Sequence, residues 1–78
     1  MYLEIITPDK KLFSGEVKSV KLPGTDGSFG ILNNHAPIIA SLKKGTVKVT
    51  SDKNTTENFE INGGVIEMLN NKAILLAE

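Results

Sequence analysis

Hydrophobic and polar residues alternate with a period of two along much of this chain, and Gly, Pro or Asn interrupts the alternation at short intervals. In Thr46-Val47-Lys48-Val49-Thr50 the two valines share one face, and Glu57, Phe59 and Ile61 nearly repeat the pattern against Asn58, Glu60 and Asn62. That period belongs to half-buried strands. Ser51-Asp52-Lys53-Asn54 between them reads as a hairpin connection, since Asp and Asn bond their own backbone and tolerate unusual dihedrals. Asn62-Gly63-Gly64 breaks the run before the next strand, 65–69, and Asn70-Asn71 forms a two-residue hairpin loop before a strand over 72–77. The carboxyl-terminal half therefore reads as a meander. The amino-terminal half predicts strands over 2–7, 11–13, 17–22, 28–32 and 37–42. Gly or Pro at 8, 15, 23, 24, 27, 30, 37, 45, 63 and 64 leaves few windows long enough for three helical turns. The expected fold is all-β, a flattened antiparallel β-sandwich of about eight to ten short strands forming one domain over 1–78.

Three segments depart from polar-out alternation. Pro37-Ile38-Ile39-Ala40, Val65-Ile66 and Ile74-Leu75-Leu76 put apolar side chains on both faces of their strands. An isolated sandwich would wet one of those faces. Two readings stand: central strands with a few exposed apolar residues, or a docking face of several hundred square ångströms.

Composition narrows the function more than the fold. The 78 residues leave no room for two lobes around a cleft. Nine Lys balance nine Asp and Glu, so no net field draws the chain to nucleic acid or an acidic membrane. Without Cys and with a single His, a closed zinc site lacks ligands, and no disulfide framework exists. No apolar run approaches the ~18–20 residues of a membrane-spanning helix. The first residues, Met1 to Pro8, carry neither a basic leader nor a small-residue cleavage site, and nothing there is expected to direct secretion. Asn54-Thr55-Thr56 matches a glycosylation pattern and reads as a polar turn.

Few residues carry candidate chemistry. Pro23-Gly24-Thr25-Asp26-Gly27-Ser28-Phe29-Gly30 is glycine-rich, but its spacing matches no phosphate-binding fingerprint and a strand follows it, not a helix. It reads as a protruding polar loop, with Pro23-Gly24 at the centre of a type II turn and Asp26-Gly27 at a hairpin tip. His35 is the only side chain that titrates near neutrality unaided. None of the five Ser lies in a G-x-S-x-G elbow, and the carboxylates fall where solvated strand faces need charge, so no catalytic residue, metal ligand or cofactor is assigned.

In combination, the motifs resemble the amino-terminal β-sandwich of the epsilon subunit of F-type, proton-translocating ATP synthases. They are Thr7-Pro8, Phe13-Ser14-Gly15-Glu16-Val17, the run from Leu22 to Leu32, His35-Ala36-Pro37-Ile38-Ile39 and Gly63-Gly64-Val65-Ile66-Glu67, and together they span the chain. The resemblance implies a non-catalytic central-stalk subunit that couples gamma-subunit rotation to the c-ring. It would be peripheral to the cytoplasmic face of the plasma membrane, with no cofactor and no small-molecule substrate. It places Gly24, Thr25, Asp26, Gly27 and Ser28 against the c-ring, and His35, Ala36, Pro37, Ile38 and Ile39 against the gamma subunit. Ser28 stands where relatives often carry a carboxylate, which would pass a charge contact to Asp26, and Asn33-Asn34 stands where a Pro-Gly pair is common. Relatives usually continue into a helical hairpin that restrains ATP hydrolysis. A chain stopping at Glu78 is expected to couple torque without that restraint. The rival readings are a free β-sandwich module for a small ligand or carbohydrate, disfavoured by the absence of Trp, and a small hydrolase using His35 with a Ser.

Overall fold

The computed structural model describes all residues, 1–78, and its chain is built from six strands with no helix. They are β1 (Tyr2–Ile6), β2 (Lys11–Gly24), β3 (Gly27–Leu32), β4 (Ile38–Ser51), β5 (Thr56–Leu69) and β6 (Lys72–Ala77). The sheet order is β1-β6-β5-β4-β2-β3, and an added β1–β2 pairing closes it into a barrel-like sandwich with β3 flanking β2. β1 runs parallel to β6, opposite residues being Leu3 with Ala73 and Ile5 with Leu75, and all other pairings are antiparallel. The expectation of antiparallel pairing is corrected at this one seam, which brings the first and last strands side by side.

The short strands expected from the sequence merge in pairs. β2, β4 and β5 each have 14 residues and pass through Gly15, Gly45 and Gly63-Gly64 without leaving the ladder. The break expected at Asn62-Gly63-Gly64 is therefore a bend: β4 and β5 keep one register from Ile38 opposite Met68 to Thr50 opposite Thr56. Gly63 and Gly64 have φ of +135° and +152°, open to glycine and strained for other residues. Each long strand thereby serves both layers. One layer holds β1, β6 and the adjoining halves of β5 and β4; the other holds β3 with the far halves of β2, β4 and β5.

The buried residues record the change of layer. In β4 the inward positions run 38, 40 and 42 and then 47 and 49, and in β5 they run 59, 61 and 63 and then 66 and 68. In β2, Val17 gives way to Val20 and Leu22 across a bulge at Lys18. Alternation fixes one face at a time, so a parity change marks a corner where the strand turns to another layer. Sixteen buried apolar residues form one core, among them Leu3, Ile5, Val17, Val20, Ile31, Val47, Ile66 and Leu75. Phe13 and Phe59 meet edge to face at its rim, their centroids 5.8 Å apart.

Two expected hairpins form where the turn chemistry places them. Asn70 and Asn71 both adopt left-handed φ, 52° and 59°, as a two-residue turn matched to strand twist requires, and Asn54 at 64° closes the β4–β5 connection. The glycine-rich loop differs from expectation. Pro23 and Gly24 are buried at the end of β2, and the turn is Thr25-Asp26 followed by Gly27 at φ +126°. A β-carbon on Gly24 would lie 2.6 Å from the Gly27 carbonyl oxygen and 2.7 Å from the Phe29 ring. Close approach, and not a type II turn, explains that glycine.

Candidate protein interface

The β2–β3 tip presents Thr25, Asp26, Gly27 and Ser28 to solvent, while Gly24 packs beneath it. Of the five loop residues singled out in the sequence, four are surface and one supports them. His35, Ala36 and Pro37 are exposed in the β3–β4 connection; Ile38 opens β4 half-buried, and Ile39 points outward with 71% exposure.

Gly24 to Gly27 of the first set and Ile38 and Ile39 of the second, separate in sequence, meet at one cleft, while Ser28, Ala36 and Pro37 stay outside its lining. Thr25 N–H donates to the Ser41 carbonyl at 3.1 Å, tying the tip to the start of β4. Gly24 to Gly27 and Phe29 form one wall of the cleft and Ile38 to Ser41 the other. His35 lies apart from it. Its backbone N–H donates to the Leu32 carbonyl at 3.1 Å, and its Nδ1 sits 2.7 Å from the Ala36 carbonyl oxygen, so that nitrogen must carry the proton. A histidine engaged with backbone at both points serves the shape of the connection. No three His, Cys, Asp or Glu side chains converge anywhere in the chain.

From the cleft an apolar face extends across the outer side of the first layer. Ser41, Val65 and Leu76 lie opposite one another in a cross-strand row that ends on Ile6, and Ile39, Glu67 and Ile74 form the next row, ending on Glu4. Val65 and Leu76 are 41% and 56% exposed, whereas Ile66 and Leu75, one position along each strand, are fully buried. Ile6, Val65, Glu67, Ile74 and Leu76 line a shallow depression in this face. The sequence signal for it was the consecutive apolar pairs. What sequence reasoning missed is that Val65 and Leu76 continue the surface of Ile39, because their adjacency depends on register between distant segments.

Charge frames this face more than it fills it. Lys11 Nζ lies 2.8 Å from Glu4 Oε2, and that hydrogen bond holds the Glu4 carboxyl below its ordinary pKa and Lys11 above its own. Glu67 sits between the two isoleucines of its row, outside both ion pairs of the chain.

Comparison with known proteins agrees with this architecture. The family model for the β-sandwich domain of the ATP synthase delta/epsilon chain matches residues 1–78. The ATP synthase epsilon chain of Chlorobium limicola is 50% identical over 76 residues, covering 97% of this chain and 86% of the relative. That of Chlorobaculum tepidum is 47% identical over the same shares. Among solved structures, a chain of the Euglena gracilis mitochondrial ATP synthase superposes with a TM-score of 0.90 at 18% identity, which speaks to the fold. The alignment covers 96% of this chain and 48% of that one. With the family model matched from end to end and near relatives sharing half their residues, this chain belongs to the ATP synthase delta/epsilon chain β-sandwich family.

Proposed function

We propose that the chain is a non-catalytic central-stalk subunit of an F-type ATP synthase, coupling rotation of the gamma subunit to the c-ring during proton-driven ATP synthesis. The observation that carries this reading is the apolar face around Ile39, joined without a break to a polar, protruding tip. A subunit that seats a shaft on a ring needs two different surfaces: a dry one for a permanent partner and a polar one for loops at the membrane surface. Thr25, Asp26, Gly27 and Ser28 form the c-ring contact with Gly24 as their support, and His35, Ala36, Pro37, Ile38 and Ile39 begin the gamma contact, which Val65 and Leu76 extend. The subunit is peripheral, on the F1 side of the complex at the cytoplasmic face of the membrane, and takes no substrate or cofactor. Its charge balance fits local complementarity with two protein neighbours better than a long-range field.

The test is recovery of a tagged chain from its own cells, followed by proton-pumping assays on membranes carrying Ile39→Asp or Asp26→Ala. Co-purification with the catalytic, gamma and c subunits is expected, with reduced coupling in both variants. Recovery of the chain alone would refute the role, and full coupling in both variants would refute the assigned faces.

A further inference from the structure

The edge of β4 beside the cleft is unpaired. β4 pairs with β5 over its whole length, but on its other side the pairing with β2 ends at Leu42 opposite Gly24, and the last contact is Thr25 N–H to the Ser41 carbonyl. In an antiparallel strand both backbone groups of one residue point to one neighbour, and those of the next residue to the other. The Ser41 carbonyl points away from β5, so the N–H and C=O of Ile39, two residues earlier, point the same way. There they face the cleft, where the chain supplies no strand.

Natural edges are usually blunted by charge, a bulge or a covering loop. Residues 38–41, Ile-Ile-Ala-Ser, hold no charge, and their pairing with β5 is free of bulges. The cleft is about 340 Å³, enough for one or two side chains, with Phe29 opposite Ile38 and Ile39. The N–H and C=O of Ile39 and the N–H of Ser41 lie at the two-residue interval of a strand, roughly 6.6 Å, the Ser41 carbonyl being taken by Thr25. A helix, whose own backbone groups are already paired, cannot match them; an extended backbone can.

We infer that this edge receives an extended, uncharged segment of the stalk partner, which adds as a strand beside Ile39 and places an apolar side chain in the cleft against Phe29. The inference rests on the reading that residues 35–39 face that partner, and deepens it by giving the contact a mode. Backbone hydrogen bonds supply affinity and the cleft supplies selectivity, the division of labour in strand addition generally. Phe29, Ile38, Ile39 and Ala40 form the apolar part of the lining and its one ionisable group, the Asp26 carboxylate, lies at the tip, so the side chain that fits against Phe29 is apolar.

Amide hydrogen exchange of the chain, free and within the assembled synthase, tests this. Assembly is expected to slow exchange at Ile39 and Ser41 by at least about tenfold, as a newly paired amide requires. Ile39→Pro removes the free N–H without touching the β5 ladder and is expected to weaken incorporation by about tenfold or more, whereas Ile39→Thr, which keeps the N–H, is expected to weaken it less. Should Ile39→Pro fail to fold, the exchange measurement on the unaltered chain decides. Normal assembly with unchanged exchange at both amides would overturn strand addition and leave the stalk role standing. Failure of the chain to assemble at all would overturn both. Protection of Ile39 in the free chain that rises with its concentration would assign the edge to a second copy and overturn the inference too.

Discussion

A β-carbon on Gly64 would stand 2.3 Å from the carbonyl oxygen of Leu76, in the neighbouring strand, and 3.0 Å from the Ala77 Cα. Both obstacles are backbone held in the β5–β6 ladder, so neither can yield cheaply. Gly64 also has φ of +152°, where other residues are strained. Gly64→Ala is expected to destabilise the fold by about 3 kcal/mol, strain and clash together. Gly27, with φ of +126° and open space around it, separates the two contributions. Gly27→Ala is expected to cost about 1 kcal/mol, from strain only. Urea denaturation of both variants checks the difference; equal midpoints would show that the Leu76 carbonyl is no obstacle.

Asn70 and Asn71 hold the β5–β6 turn by accepting left-handed dihedrals that most side chains resist. Asn70→Ala is expected to lower stability by about 1 kcal/mol and Asn70→Gly to leave it within about 0.5 kcal/mol. Asn71 does more, since its Oδ1 accepts the Asn34 N–H at 2.7 Å and so ties this turn to the β3–β4 connection. Asn71→Gly keeps the dihedral and loses the tie; it is expected to destabilise where Asn70→Gly does not, by about 1 kcal/mol. Thermal unfolding of the three variants distinguishes the two roles.

Neighbours in one strand should divide between stability and assembly. Ile66 is fully buried and Val65 is 41% exposed on the apolar face. Ile66→Ala is expected to cost about 3 kcal/mol through lost burial and a residual cavity. Val65→Asp is expected to leave the isolated fold within about 1 kcal/mol while reducing incorporation into the complex. A Val65→Asp chain that assembles normally would remove this residue from the interface.

The Glu4–Lys11 pair gives a pH dependence of definite sign. Glu4 titrates below its ordinary value because of the hydrogen bond from Lys11, so its contribution is present above the ordinary carboxylate range and is lost as pH falls through its folded value. Lys11 titrates above its ordinary value because of the same bond, so its contribution is complete below the ordinary lysine range and is lost as pH rises through its folded value. Both are in place at neutrality. In Lys11→Met the Glu4 carboxyl is expected to titrate at higher pH by NMR, and the variant's stability should converge with that of the parent chain in acid. Lys11 is exposed and Glu4 only half-buried, so solvent screens the pair, and the gap at neutral pH should be small and shrink further with salt. An unmoved Glu4 midpoint would contradict the assignment.

The class of the fold, several of its turns and the existence of an unusual face are all legible in the chain's local pattern. Val47 and Val49 announce a strand because the period of two is a local property of the backbone, and Asn70-Asn71 announces a turn because left-handed dihedrals are a property of the residue. Ile38-Ile39, Val65-Ile66 and Leu75-Leu76 reveal apolar side chains on both faces for the same local reason.

The work of the glycines, by contrast, depends on contacts between distant segments. Glycine permits a reversal and equally permits close approach of another chain segment, and the choice lies with neighbours remote in sequence. Gly64 sits within a continuous strand where the Leu76 carbonyl leaves no room for a β-carbon, Gly24 fits under a turn where Phe29 leaves none either, and Gly45 makes room for Pro23, 2.8 Å from where its β-carbon would be. Those contacts turn the expected short strands into three long ones that serve both layers. They also bring Thr25 to Ser41, so that two sites separate along the chain become the two walls of one cleft.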